Sequence, residues 1–216
     1  MFNHEKMRRD AALFASLQQE GKTIDEIFSI INITPVIPKG LQYKMIKVIS
    51  GLQTGIDEYG LEIAHELGFP TGGTTTYDYG QEGGLNSQEK AIKYGVVAIS
   101  KEAQAKFEKK NSYMSKASCY YNARTELNAK NADITLYFAT DLDSAGLIST
   151  KRYAEYHDKP FKQLNVDFVT PNQLFNLIDL KEHKVINIAR NRASKLSQED
   201  ITYFKQFITE FLTLLK

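Results

Sequence analysis

From Met45 to the C-terminus, short apolar runs alternate with longer segments whose apolar residues recur every three or four positions. Short runs bounded by turn residues mark buried strands, and the longer periodic segments mark amphipathic helices. The pattern predicts strands near 46–50, 69–72, 96–100, 133–138, 161–165 and 184–189. It predicts helices near 56–67, 85–94, 117–131, 146–157, 171–179 and 197–215. In the last of these, Ile201, Phe204, Ile208, Phe211 and Leu215 form one apolar face behind a start signal at Ser197. Strands and helices in alternation give an α/β class: a doubly wound, Rossmann-like, mostly parallel sheet covered on both faces.

The N-terminal residues follow a different pattern. Met7, Ala11, Phe14 and Leu17 have helical spacing up to Gly21, and Thr23 with Glu26 forms a capping-box pattern ahead of Ile24, Ile27, Phe28 and Ile31. Pro35 and Pro38 cannot continue that second helix. The predicted organisation is therefore a helical hairpin and linker over 1–40, joined to one α/β domain over 41–216. The second helix carries Asp25 and Glu26 and no basic residue, which argues against insertion into a DNA groove. Packing against the main domain or a neighbouring subunit fits it better.

Composition narrows the function classes. The 27 Lys and Arg are dispersed among 26 Asp and Glu, with a net charge of +1, so the concentrated basic face of a nucleic-acid-binding domain is missing. No apolar run of about 18 residues occurs, and the first residues lack the apolar stretch of a signal peptide. A cytoplasmic protein with no membrane or nucleic-acid partner is the expectation. The single Cys119 has no disulfide partner in the chain, and His4, His65, His157 and His183 show no metal-ligand spacing, so no metal site is expected.

The chemistry is expected in the loops that follow the strands. Ser50-Gly51-Leu52-Gln53-Thr54-Gly55-Ile56-Asp57 is a glycine-containing turn leading into a helix, where free backbone N–H groups suit a phosphate. Thr54 and Asp57 also have capping-box spacing, and Gly51 and Gly55 also suit a plain turn. A second such loop runs from Thr140 to Gly146, where Ser144 and Gly146 are either ligand contacts or an N-cap and a packing residue. Two loops at strand ends point to one crevice. Between them, 72–84 is a polar stretch with five glycines, including Gly73, either a cover over a ligand or a surface excursion. Arg124 and Asn128 share a helix face from which both reach one polar ligand, and Arg190 and Arg192 follow the last strand.

Taken in order, these segments resemble the putative molybdenum cofactor carrier family, a branch of the SLOG superfamily of Rossmann-like proteins that includes the Lonely Guy enzymes. The family's S-G-G-Q-T-G-V-D motif is similar to Ser50 to Asp57, with Leu52 in place of the second glycine. Its G-x-P-x-G-G segment is similar to Gly68 to Gly73. Its R-T-x-x-N helix and the strand that follows are similar to Arg124 to Thr135, and its N-V-A-G-P-R-x-S-K segment to Asn187 to Lys195. The resemblance covers about 46–215 and leaves out the N-terminal extension.

The resemblance implies a Rossmann-like pocket for a phosphorylated, nucleotide-like molecule, often in a dimer, and through the family's name the molybdenum cofactor. The expected ligand contacts are Gly51, Gln53, Thr54, Gly55, Asp57, Gly73, Arg124, Asn128, Ser144, Gly146 and Arg192. One departure bears on catalysis. Lonely Guy enzymes carry P-G-G-x-G-T-x-x-E, whose Glu takes part in cleaving a base from its ribose phosphate. Here Leu147-Ile148-Ser149-Thr150-Lys151 follows Gly146, with no Glu before Glu155. A binding protein that carries or senses the ligand is thus the first reading. A nucleotide N-glycosidic hydrolase with Asp57 or Glu82 in the missing role is the second, and an interaction module with a vestigial pocket the third.

Overall fold

A computed structural model describes residues 46–139, 143–165, 168–179, 182–190, 194 and 196–216, together with Leu13, Ser16 and Glu20. Beyond those three residues, the hairpin predicted for 1–40 lies outside this set. The strands are β1 (Lys47–Ile49), β2 (Thr71–Thr75), β3 (Val96–Ala98), β4 (Ile134–Ala139), β5 (Phe161–Asn165) and β6 (Val185–Arg190). All pair in parallel, in the order β3-β2-β1-β6-β4-β5. The helices are α1 (Ile56–Glu66), α2 (Gln88–Tyr94), α3 (Lys101–Lys110), α4 (Lys116–Asn131), α5 (Ala145–Tyr156), α6 (Pro171–Leu177) and α7 (Gln198–Leu214).

The period of two along each strand sorts side chains between the faces. Ile134, Leu136 and Phe138 of β4 and Ile186 and Ile188 of β6 point to the face covered by α1, α6 and α7. There Phe138 meets Phe204 and Phe207 of α7 edge-on, with centroids 6.1 and 5.7 Å apart. The start of α7 is fixed by a capping box: Ser197 Oγ accepts from Asp200 N–H, and the Asp200 carboxylate accepts from Ser197 N–H. A second buried cluster joins Phe107 of α3, Cys119, Ala123 and Ala129 of α4, and Tyr153 and Ala154 of α5 on the other face. Both faces of the sheet are thus covered, as the alternating pattern predicts.

The strand order has one reversal. Counted from β6, the sheet runs outward through β1, β2 and β3 on one side and through β4 and β5 on the other. This is a doubly wound sheet whose central strand comes last in the chain. The reversal lies beside β6, and crevices at such points are where open α/β sheets bind ligands.

Two elements differ from the sequence expectation. The strand expected at 69–72 runs over Thr71–Thr75 instead, because the β-branched Thr74 and Thr75 continue it into the polar stretch. The sequence pattern predicts no helix at the position of α3. This helix buries only Gln104 and Phe107, with Ala103 half-buried beside Phe107, so its apolar signal is sparse; its Ser100 N-cap, which accepts from Ala103 N–H, is the one local sign of it.

One contact explains how β2 extends past the end of β1. Ser50 N–H still bonds to the Gly72 carbonyl, but two residues later β2 has no strand beside it on that side. There Asn128 of α4 takes over: its Nδ2 donates to the Thr74 carbonyl and its Oδ1 accepts from Thr74 N–H, each at 2.8 Å. The amide imitates a strand edge. Asn128→Ala leaves a β2 donor and acceptor unpaired and is expected to destabilise the fold by about 2–3 kcal/mol. Urea denaturation checks this; an unchanged midpoint would show that the clamp is dispensable.

Candidate functional site

A cavity of about 680 Å³ is lined by residues that follow β1 (Gly51, Gln53, Asp57), that open α5 (Ser144 to Gly146), and that lie along β6 (Asn187, Ala189, Arg190). The carboxyl ends of β1, β6 and β4 therefore meet around it, beside the reversal of the winding. Much of its remaining wall is the polar side of α4, with Ser118, Tyr121, Asn122, Arg124 and Thr125, and Glu82, Thr150 and Ser194 also reach it. The volume lies in the range of about 300–1,000 Å³ found for small-molecule sites.

The most constrained part of the wall is a pair of buried charges. Asp57, in the first turn of α1, is 6% exposed, and Arg124, in the middle of α4, is 8% exposed. The Asp57 Oδ1 accepts from the Arg190 backbone N–H at 3.0 Å, while Oδ2 lies 3.6 Å from Arg124 Nη1. The carboxylate thus joins α1 to the end of β6 and to α4. The guanidinium lies over Gly51 so closely that a Cβ there would come within 1.6 Å of Nη1. Gly51 is present because an arginine occupies the space of its side chain.

Burial pushes the Asp57 carboxyl up to about 6, against the lowering pull of the Arg124 charge and of the Arg190 N–H. Burial likewise lowers Arg190, to about 10. The Arg190 guanidinium stacks 3.8 Å above the centre of the Phe204 ring. Arg124 is held differently. Among the described residues, its guanidinium has one polar partner, the Asp57 carboxylate at 3.6 Å. A planar group with five N–H donors in a cavity wall keeps most of them available for a bound anion.

The polar stretch after β2 is ordered by side-chain bonds. Gln81 is buried and donates to the Leu52 carbonyl at 2.7 Å, and Gln53 Oε1 accepts from Glu82 N–H at 3.0 Å. These two glutamines tie the stretch to the β1–α1 loop and set Glu82 at the cavity. Further out, the Tyr120 hydroxyl of α4 donates to Asp78, and Gly80 leaves room for it, since a Cβ there would lie 2.1 Å from that oxygen. Burial and the Asp78 bond push Tyr120 up to about 12.

The circularly permutated YpsA SLOG family matches residues 48–212. The chain belongs to this family. Among solved structures, a "Putative molybdenum carrier protein" from Syntrophus aciditrophicus is similar, with 25% identity and a TM-score of 0.59 over 79% of this chain and 94% of that one. No curated protein matches.

Leu52 stands at a backbone position with φ 55°, in the left-handed region that favours glycine. Its side chain is fully buried with Leu61, Ala91, Tyr94 and Val96. Burial of a leucine, worth roughly 1.5–3 kcal/mol, outweighs the roughly 1–2 kcal/mol of strain.

Of the residues expected to contact a ligand, Gly51, Gln53, Asp57, Arg124, Asn128, Ser144 and Gly146 line the cavity. Asn128 lines it with its amide engaged by Thr74, so the expected pairing with Arg124 toward one ligand is replaced by a role in the sheet. Ser144 caps α5, accepting from Leu147 N–H at 3.3 Å. Thr54, Gly55 and Gly73 lie outside the lining. Gly55, at φ 98°, is itself the cap of α1, and no capping box forms: Asp57 turns to Arg190 and Arg124, and Thr54 Oγ1 has no partner among the described residues. Arg192 lies outside the described residues. The cavity adds Arg190 and Asn187, neither of which stood among the expected contacts; the position of both along the last strand was their signal.

Among the described residues, no group of three or more His, Cys, Asp or Glu is placed to hold a metal ion. Cys119 is buried in the α3–α4–α5 cluster, with its Sγ 3.7 Å from the Asn111 carbonyl. No described helix is long and apolar enough to cross a membrane.

Gly51 and Gly73 are distinguishable by substitution. A Cβ at Gly73, where φ is 125°, would lie 2.1 Å from the Ser50 backbone oxygen, which cannot move away without breaking the sheet. At Gly51 the obstacle is the end of a flexible side chain. Chemical denaturation should show Gly73→Ala losing about 3 kcal/mol or more and Gly51→Ala about 1 kcal/mol. Equal losses would contradict the two roles.

Proposed function

We propose that the chain binds and carries a small molecule that joins a phosphate to a planar nucleotide-like or pterin-like part. The observation that carries this reading is the Arg124 guanidinium: buried in the cavity wall, in reach of the strand ends, and with Asp57 at 3.6 Å as its one polar partner among the described residues. The phosphate sits on Arg124, and the planar part extends along the polar side of α4 past Tyr121 and Asn122. The name of the similar Syntrophus protein supports a pterin-bearing cargo such as the molybdenum cofactor. Any metal of such a cargo would be held by the cargo itself.

A second reading is favoured by one feature. Asp57 and Glu82 both line the cavity, and Asp57, pushed up to about 6, is partly protonated near neutral pH, as a general acid for N-glycosidic cleavage must be. Thr150 lines the cavity beside Ser149, in the stretch that lacks the Lonely Guy carboxylate, with its hydroxyl bonded to the Gly146 carbonyl. Glu155 pairs at the surface with Lys151. Incubation with nucleoside monophosphates separates the readings: released base supports the hydrolase, and bound but intact nucleotide supports the carrier.

Arg124→Ala is expected to weaken a phosphorylated ligand about tenfold to a hundredfold, the effect of losing a charge-assisted hydrogen bond of roughly 1.5–3 kcal/mol. Its dephosphorylated counterpart should lose little, and Arg124→Lys should recover only part, because an ammonium lacks the planar fork. Titration calorimetry with adenosine 5′-monophosphate and adenosine checks this. Equal affinity of wild type and Arg124→Ala for the nucleotide removes this residue from the site.

A further inference from the structure

The pair at the centre of the site is asymmetric. Asp57 is anchored by a 3.0 Å hydrogen bond from the Arg190 backbone, whereas its contact with Arg124 is a 3.6 Å ion pair without the short distance of a direct hydrogen bond. Arg124 reaches that position across Gly51, where a single added carbon would displace it. A carboxylate fixed to the sheet therefore holds a guanidinium loosely at the wall of a cavity.

We propose that Asp57 is a latch on Arg124, and that an anion entering the cavity displaces it, with one proton taken from solvent onto the Asp57 carboxylate. This rests on the cavity being an anion site, as argued above. An anion bound to Arg124 removes the positive charge that favours ionised Asp57 and brings a second negative charge beside it. Both effects favour the neutral acid. Once protonated, Asp57 still accepts from Arg190 N–H through one oxygen, so the link to β6 survives.

The charged groups around Asp57 do not cancel this coupling. From α4 it faces Arg124 and from β6 Arg190, whose side chain is engaged with the Phe204 ring. Glu82 reaches the same cavity from the loop after β2, where it accepts from Ser194. Glu58, next in α1, is paired with Lys90 of α2 and accepts from Gln81. With the Asp57 carboxyl pushed up to about 6, the exchange falls in an accessible range. Linkage gives the sign: the protonated form binds the anion better, so affinity falls as pH rises through and above that value.

The test uses sulfate, whose charge does not change over this range, with the full chain. Wild type should bind sulfate about tenfold or more weakly at about pH 7.5 than at about pH 5. Asp57→Asn should bind with little pH dependence and, at about pH 7.5, more tightly than wild type, because the amide cannot hold Arg124 by charge. Should that variant fail to fold, calorimetry of the wild type in two buffers of different ionisation enthalpy decides: net proton uptake on binding near neutral pH is expected, and none overturns the latch. Binding that depends on Arg124 but is flat with pH, or an Asp57→Asn variant that keeps the wild-type slope, also overturns it while leaving the anion site intact. Absence of sulfate binding at every pH, with Arg124→Ala indistinguishable from wild type, overturns the anion site and the latch together.

Discussion

The buried pair of Asp57 and Arg124 is the interaction around which the site is organised. A charge removed from water must be paired or hydrogen-bonded, and here each member supplies what the other lacks. Through Asp57 the first turn of α1 is bonded to the end of β6, and through Arg124 the middle of α4 is drawn against the β1–α1 loop. Gly51 follows from this pairing, because the guanidinium occupies the space of its missing side chain. Three segments far apart in sequence thereby converge on the end of one strand.

Around the pair, polar side chains do the work of missing sheet and missing apolar contacts. Asn128 completes the ladder of β2 where β1 has ended, while Gln53 and Gln81 fasten the glycine-rich stretch to the first loop. Each of these amides bonds to backbone, and Gln81 also donates to Glu58. They set the shape of the cavity, and Arg124 in its wall has donors to offer. The winding of the sheet puts this arrangement where neighbouring connections diverge, so the crevice is a consequence of topology rather than of one motif.

Six strands and six of the seven helices among the described residues were legible, most clearly from the apolar patterns of β4 and α7, although β2, built of Thr and Gly alone, has no such pattern and lies two residues later than expected. The exception, α3, rests on Phe107 and a few smaller contacts, too sparse for a periodic signal. At the site, the glycine turn after β1 marked Gly51, Gln53 and Asp57, and the helix face shared with Asn128 marked Arg124; all four line the cavity. What the sequence left open was the purpose of each residue. Glycines that look alike in the chain make room for a guanidinium at Gly51, for a neighbouring backbone at Gly73 and for a tyrosine hydroxyl at Gly80. Thr54 and Asp57 have the spacing of a cap, yet the carboxylate is drawn away by groups some 70 and 130 residues later, a long-range competition that no local pattern encodes.

The central claim is that an anion binds to Arg124 at the carboxyl ends of β1 and β6. A crystal structure of the chain soaked with adenosine 5′-monophosphate tests it most directly. The expected result is the nucleotide phosphate within about 3 Å of the Arg124 guanidinium, above Gly51, with the base lying along α4. A phosphate bound elsewhere, or a cavity without nucleotide at saturating concentration and Arg124 still beside Asp57, would contradict it.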